Sequence, residues 1–110
     1  MGKFEVYEGN NQTFYFRLKA GNGQVILASQ GYQTKASAKA GIRSVKTNAI
    51  KDAQFDRKES KNGKHFFNLV ARNKEIIGSS EMYESKTSME NGIKSVGKNA
   101  PDAEVFDVEK

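Results

Sequence analysis

The sequence predicts an α+β protein in which two tandem β-β-β-α-β units form one antiparallel-rich sheet with two helices packed on one face. Three observations lead to this prediction. The chain repeats itself at an offset of 51 positions. Several segments alternate apolar and polar residues, as strands do, and each copy then changes to a helical spacing of its apolar residues.

The internal repeat sets the number of units. Sliding the sequence by 51 positions gives 19 identities over the 52 pairs that begin with Phe4 and Phe55, where average residue usage predicts about 3. The copies run from 4 to 54 and from 55 to 106. A unit of this size buries too little surface to be stable alone. We therefore expect a single domain over 1–110, a monomer whose two copies share one core with pseudo-twofold symmetry.

The first copy begins with three strand-like segments separated by turn residues. Phe4–Tyr7 ends at a Gly-Asn-Asn cluster, and Thr13–Ala20 places its aromatic and aliphatic residues on one face. Gly21-Asn22-Gly23 supplies the positive-φ positions of a hairpin turn. Gln24–Ser29 then predicts the third strand.

A helix follows over 34–48, because its apolar residues recur at spacings of four, three and four. Thr34 or Ser37 can cap its start, and Asn48 suits a left-handed position at its end. Gly41 lies beside the apolar face, which suggests a close approach of the helix to the sheet. The apolar face comprises Ala38, Ile42, Val45 and Ala49.

The second copy repeats each step. Strands are expected over 64–71 and 75–80, and a helix capped by Ser85 carries Met89, Ile93, Val96 and Ala100 on its apolar face. The segment 53–59 follows the first helix and also opens the second copy, so we expect one longer strand near the sheet centre. Phe106 matches both Phe4 and Phe55, which predicts one further strand around 105–108.

Several short motifs together resemble one known family. They are Ala20-x-Asn22-Gly23, Ser29-x-Gly31-Tyr32, the pairs Thr34-Lys35 and Ser85-Lys86, and Gly-Ile-x-Ser-Val followed by Asn-Ala in both copies. In this combination the chain resembles the YegP-like family of bacterial domains of unknown function. The second copy departs from the pattern at Lys74 and Met82, where the first copy has glycines. The resemblance implies tandem units in one sheet with exchanged terminal strands, and no established activity or functional residues.

Composition excludes several classes of function. The chain is 36% hydrophobic and 28% charged, which is typical of a soluble globular protein. No apolar run approaches the length of a membrane span, and the N-terminus lacks the apolar stretch of a secretory signal, so we expect a cytoplasmic protein with no membrane contact. The absence of cysteine excludes disulfides, cysteine-ligated zinc and a cysteine nucleophile.

Candidate catalytic groups are sparse. The one histidine, His65, has no serine or carboxylate in a recognisable catalytic relation to it, and we expect it to be a partly buried strand residue. No metal-ligand spacing and no phosphate-binding glycine loop is present. The sequence therefore predicts a protein that is not an enzyme and has no cofactor.

Three classes of binding function stay open: a protein-interaction or structural module, nucleic-acid binding, and binding of a small metabolite. The first copy holds seven basic and three acidic residues, and nucleic-acid binding would use a helix stripe together with the outer face of the second strand. The favoured hypothesis is a protein-interaction or structural module, because Tyr15, Phe66 and Val70 would form an exposed apolar patch on the outer sheet face. The candidate nucleic-acid or anion contacts are Lys35, Lys39, Arg43, Lys46, Tyr15, Arg17 and Lys19.

Overall fold

The computed structural model describes residues 2–108 and places them in one seven-stranded sheet that carries two α-helices. The α+β class and the two helices on one face of the sheet are confirmed. The elements in chain order are β1 (Lys3–Glu8), β2 (Phe14–Lys19), β3 (Val25–Ala28), α1 (Lys35–Asn48), β4 (Phe55–Glu59), β5 (His65–Val70), β6 (Ile76–Ser79), α2 (Lys86–Asn99) and β7 (Glu104–Val108).

The strand order is β4-β5-β6-β3-β2-β1-β7. The third strands of the two copies meet at the centre, where Ala28 pairs with Ser79 in antiparallel orientation. Around this pair each copy contributes the same three antiparallel strands in mirror order, which is the expected pseudo-twofold arrangement. β7 follows the second helix but lies beside β1 of the first copy, parallel to it, so the terminal strand is exchanged.

The expectation of a long central strand over 53–59 is wrong. β4 begins only at Phe55, after a short 3-10 turn over Asp52–Gln54, and it lies at the edge of the sheet. Since β3 and β6 occupy the centre, the first strand of each copy is pushed outward. The run Asp56-Arg57-Lys58-Glu59 is exposed, and such charges suit an edge strand, which must resist pairing with other chains.

The core lies between the sheet and the helices. Phe4, Phe16 and Leu18 from the first copy meet Phe67 and Leu69 from the second, and all are completely buried. Burying side chains of this size contributes about 1.5–3 kcal/mol each. From the helices the core receives Ala38, Ile42, Val45, Met89, Ile93 and Val96. The two copies thus share a single core.

The helix caps form as the sequence predicts, but the helix end differs. The Thr34 hydroxyl accepts a hydrogen bond from the Ser37 backbone amide at 3.0 Å, and Ser85 caps α2 in the same way. Asn48 is not left-handed: it stays in α1, and the next residue, Ala49, has right-handed backbone angles. The Asn48 amide instead donates to the Ser44 carbonyl at 2.8 Å, one turn earlier.

Gly41 lies where α1 approaches the sheet. The Tyr32 ring stacks on Phe16, with their centroids 6.1 Å apart, and the Tyr32 hydroxyl fills the space where a Gly41 side chain would begin. Gly92 faces Tyr83 in the same way in the second copy. The predicted close approach is therefore present in both copies.

Candidate interaction surface

The lysines of the predicted helix stripe line the side of α1 next to β7. The Nζ atoms of Lys35 and Lys39 lie 3.8 and 3.5 Å from the carboxylate oxygens of Asp107. Lys46 Nζ donates to the backbone carbonyl of Ala103 at 2.8 Å, just before β7 begins. These lysines therefore help to hold the last strand in place.

The other predicted contacts lie on the opposite, open face of the sheet. Tyr15 stacks on Tyr7 with ring centroids 5.7 Å apart, and the Arg17 guanidinium lies 4.7 Å from the Tyr7 centroid. Stacking of this kind occupies one face of each ring and so reduces the ring surface that a nucleic-acid base could use.

Glu5 forms ion pairs with three cations on this face. Its carboxylate accepts a hydrogen bond from Arg17 Nε at 2.7 Å, and Lys19 Nζ and Lys3 Nζ lie 3.1 and 3.5 Å away. Glu5 is only 7% exposed. Burial raises the pKa of the Glu5 carboxyl, but the bonds from Arg17 and Lys19 more than offset it and hold this pKa below its ordinary value. The open face of the first copy is thus an internally paired ionic cluster.

The structure does not bring the two groups of candidate residues together. The helix stripe and the Tyr15, Arg17 and Lys19 group lie on opposite faces of the sheet, so one short ligand cannot contact both. Most of these cations already face a carboxylate or carbonyl of the same molecule. Arg43 differs, because its side chain forms no ion pair with any group between residues 2 and 108.

The predicted apolar patch on the open face is also wrong. Tyr15 lies in β2 and Phe66 in β5, and β3 and β6 separate them. At about 4.8 Å per strand, β2 and β5 are about 14 Å apart across the sheet. Tyr15, Phe66 and Val70 are all partly buried by their neighbours. A single exposed apolar surface therefore does not form there.

The apolar surface lies instead on β7. This strand is exposed along its whole length, and Val105, Phe106 and Val108 are 40%, 45% and 36% exposed. It pairs with β1 on one side, and its other edge has no neighbouring strand within the part of the chain that the structure describes. An exposed apolar edge strand is a template for pairing with another chain.

A shallow cavity of about 240 Å³ lies beside β7 on the helix side. Val105 and Ile42 form its apolar part, and Arg43 and Lys46 form its basic part. On the open side, Lys3 Nζ lies 5.8 Å from the Phe106 ring centroid. The edge thus combines unpaired backbone, apolar side chains and cations.

The opposite edge of the sheet is closed by ion pairs. Arg57 of β4 donates to Glu90 of α2, and its Nη2 donates to Asp52 at 2.8 Å. These bonds raise the pKa of Arg57 above its ordinary value, and the bond from Arg57 lowers the pKa of Glu90. By the repeat, Arg57 and Glu90 occupy the positions of Val6 and Lys39. Of the two sheet edges within residues 2–108, the β7 edge alone therefore offers an apolar surface.

The β7 surface is the feature that sequence reasoning missed. The signal was present in the sequence: Val105, Phe106 and Val108 lie among acidic residues in a strand that follows the second helix. His65 is partly buried at the start of β5, where it exchanges backbone hydrogen bonds with Tyr83. Among residues 2–108 no group of acidic and histidine side chains converges as a metal site, and neither helix there is long and apolar enough to cross a bilayer.

The fold and this surface define a class of two-copy α+β sheet proteins with an exchanged terminal strand. A family model described as a domain of unknown function, DUF1508, matches the chain twice, over residues 10–56 and 60–107. The chain therefore belongs to this family, the YegP-like proteins of bacteria. The resemblance drawn from the motifs is confirmed.

Relatives match over nearly their whole length. A UPF0339 protein from the 5′ region of the ptx operon of Stutzerimonas stutzeri is 49% identical over 107 residues, which is 97% of this chain and 96% of the relative. The UPF0339 protein YegP of Escherichia coli K12 is 45% identical over 106 residues, 96% of each chain. The solution NMR structure of the UPF0339 protein SO3888 of Shewanella oneidensis superposes with a TM-score of 0.92 at 44% identity, covering 98% of this chain and 92% of that one.

Proposed function

We propose that this protein is a non-catalytic protein-interaction module, a cytoplasmic monomer that binds an extended segment of another protein along the free edge of β7. The observation that carries the proposal is the exposure of Val105, Phe106 and Val108 on an edge strand. An added strand would take up the unpaired backbone groups of β7 and cover these side chains. The lack of cysteine is in keeping with a reducing compartment.

The internal repeat supports this edge over the other. β1 and β4 occupy equivalent places in the two copies, and β1 accepts β7 as an outer neighbour whereas β4 presents a row of charges. One end of the sheet is thus protected against strand addition and the other is not. A protein that avoided all partners would protect both.

The test is selection from a random 12-residue peptide library displayed on phage. The chain is immobilised, and enriched peptides are measured against Phe106→Lys, which places a charge in the middle of the proposed surface. Ile76→Lys is the matched control, because Ile76 is a 40% exposed strand residue separated from β7 by β3, β2 and β1. Circular dichroism checks that both variants fold.

Peptides that bind the wild type and Ile76→Lys but not Phe106→Lys support the proposal. Peptides that bind all three proteins equally, or the enrichment of none, overturn it.

Nucleic-acid binding is the alternative, and Arg43 is the observation that favours it, because this exposed cation is not neutralised within residues 2–108. Labelled single-stranded RNA is titrated at low and then at raised salt. Binding that weakens steeply with salt and is lost in Arg43→Glu would assign the function to nucleic acid instead.

A further inference from the structure

The environment of the β7 edge also specifies the chemistry of its partner. We infer that the bound segment is acidic, with carboxylates on alternate residues that face α1 and apolar side chains between them that face Phe106. This inference rests on the proposed function and adds to it the identity of the side chains.

The geometry of a sheet sets the alternation. A strand added to β7 lies about 4.8 Å outside it, and its successive side chains point to opposite faces of the sheet. One set therefore points to the helix side, beside Val105 and Asp107. The other set points to the open side, beside Phe106. Each set meets a different environment.

The helix side is basic. Arg43 and Lys46 line the cavity beside Val105, and Lys39 lies at its rim. Asp107 is the acidic residue of that lining and already faces Lys35 and Lys39. The lining therefore keeps a net positive charge, which Arg43 presents outward. A carboxylate of the added strand in this position would accept charge-assisted hydrogen bonds from Arg43.

The open side is apolar at the point of contact. The Phe106 ring is 45% exposed, and Lys3 covers it from the β1 side with its ammonium 5.8 Å from the ring centroid. The outer part of the ring stays in solvent. An apolar side chain on the added strand would pack there and remove water from both partners.

β7 itself shows how a strand of this composition lies beside α1. Its sequence Glu-Val-Phe-Asp-Val mixes acidic and apolar residues, and Asp107 faces α1 lysines while Phe106 faces the open side. The partner segment would repeat this arrangement one strand further out, where Arg43 takes the place of Lys39.

The charges favour another protein over a second copy of this chain. Pairing two β7 strands would bring two α1 helices together, each with the same four cations, and the whole chain carries a net charge of +5. The β4 edge does not attract an acidic segment in this way, because α2 has Glu90 and Gly97 where α1 has Lys39 and Lys46. An acidic segment is therefore complementary to one edge only.

The experiment uses the peptides enriched on the full chain, each beside a counterpart in which every Asp and Glu becomes Lys. Titration calorimetry measures both on the wild type and on Arg43→Gln. The matched control is Lys94→Gln, the equivalent helix position in the second copy. We expect acidic residues on alternate positions, an affinity about tenfold lower for Arg43→Gln, which corresponds to one charged contact, and no change for Lys94→Gln.

The outcomes separate the two proposals. If Phe106→Lys abolishes binding while Arg43→Gln and the lysine counterparts leave it unchanged, the edge binds peptides but their acidity is refuted. If Phe106→Lys has no effect, both proposals fail. Light scattering that shows a dimer dispersed by the peptide would assign the edge to a second copy and overturn the inference.

Discussion

Replacing Gly41 by alanine tests the packing of α1 on the sheet. Gly41 is buried in the middle of α1, where glycine is normally a poor choice. Alanine is the better helix former by about 1 kcal/mol, so propensity alone predicts a more stable protein. The structure predicts the opposite.

The magnitude follows from what the new methyl group would meet. It would collide with the Tyr32 hydroxyl and would lie 2.9 Å from Phe16 Cε2. Phe16 is completely buried and cannot move aside without displacing the core. Overpacking of this kind costs about 1–3 kcal/mol. After subtraction of the propensity gain, we expect Gly41→Ala to lower the free energy of unfolding by about 1 kcal/mol.

Urea unfolding followed by far-ultraviolet circular dichroism measures this difference. The control is Gly41→Ala made in the Tyr32→Phe variant. There the loss of unfolding free energy should be smaller, because the Tyr32 hydroxyl is absent. Gly92→Ala, facing Tyr83, should behave like Gly41→Ala. A gain in stability from Gly41→Ala of similar size in both backgrounds would refute the packing argument.

Three further predictions concern ion pairs and caps. The pKa of folded Glu5 lies below its ordinary value of 4.5, so its stabilising contribution is present at neutral pH and is lost as the pH falls below 4.5 through the folded-state pKa. Glu5→Gln should cost about 1 kcal/mol at pH 7, and a stability profile against pH should show the two proteins converging in acid; parallel profiles would contradict this. Thr34→Ala and Ser85→Ala should each cost about 1 kcal/mol in urea unfolding, and serine at position 34 should restore most of the loss. Arg57→Gln should cost less than about 1 kcal/mol because both it and Glu90 are partly exposed, and a difference that survives 1 M salt would show that another contact is responsible.

Much of the fold could be predicted because the strand and helix periodicities are local signals and the repeat is visible when the sequence is aligned with itself. The alternation around Phe16 and Phe67 and the helical spacing around Ile42 and Ile93 fix which face of each element is buried. The caps at Thr34 and Ser85 follow from short-range hydrogen bonding. Such signals depend on neighbouring residues alone, so one sequence contains them.

The order of strands could not be predicted in the same way, because it depends on pairings between distant segments. The position of β4 is the example: its place in the chain suggested the centre, whereas the charges at Asp56–Glu59 favour an edge. Those charges indicate an edge strand, whereas the position of the segment between the two copies favoured the centre of the sheet. Asn48 shows the same limit at short range, since its side chain bonds within the helix instead of ending it.

The candidate site was predictable only in part. The stripe of Lys35, Lys39, Arg43 and Lys46 does lie together along α1. Its partner, Asp107, comes from a strand more than sixty positions away in sequence, and no local pattern connects them. Whether a cation is paired with a carboxylate depends on such distant contacts. The number of cations alone therefore overestimates the unpaired positive charge on this surface.

The parallel pairing of β1 with β7 also constrains how the chain is made. Lys3 pairs with Glu104 and Tyr7 with Val108, so β1 receives its outer neighbour only after both helices and the five intervening strands have been synthesised. Until β7 has been synthesised, the backbone groups on this edge of β1 remain exposed to solvent. Completion of the sheet therefore waits for the synthesis of β7, and a chain that stops before position 104 keeps an unpaired β1 edge.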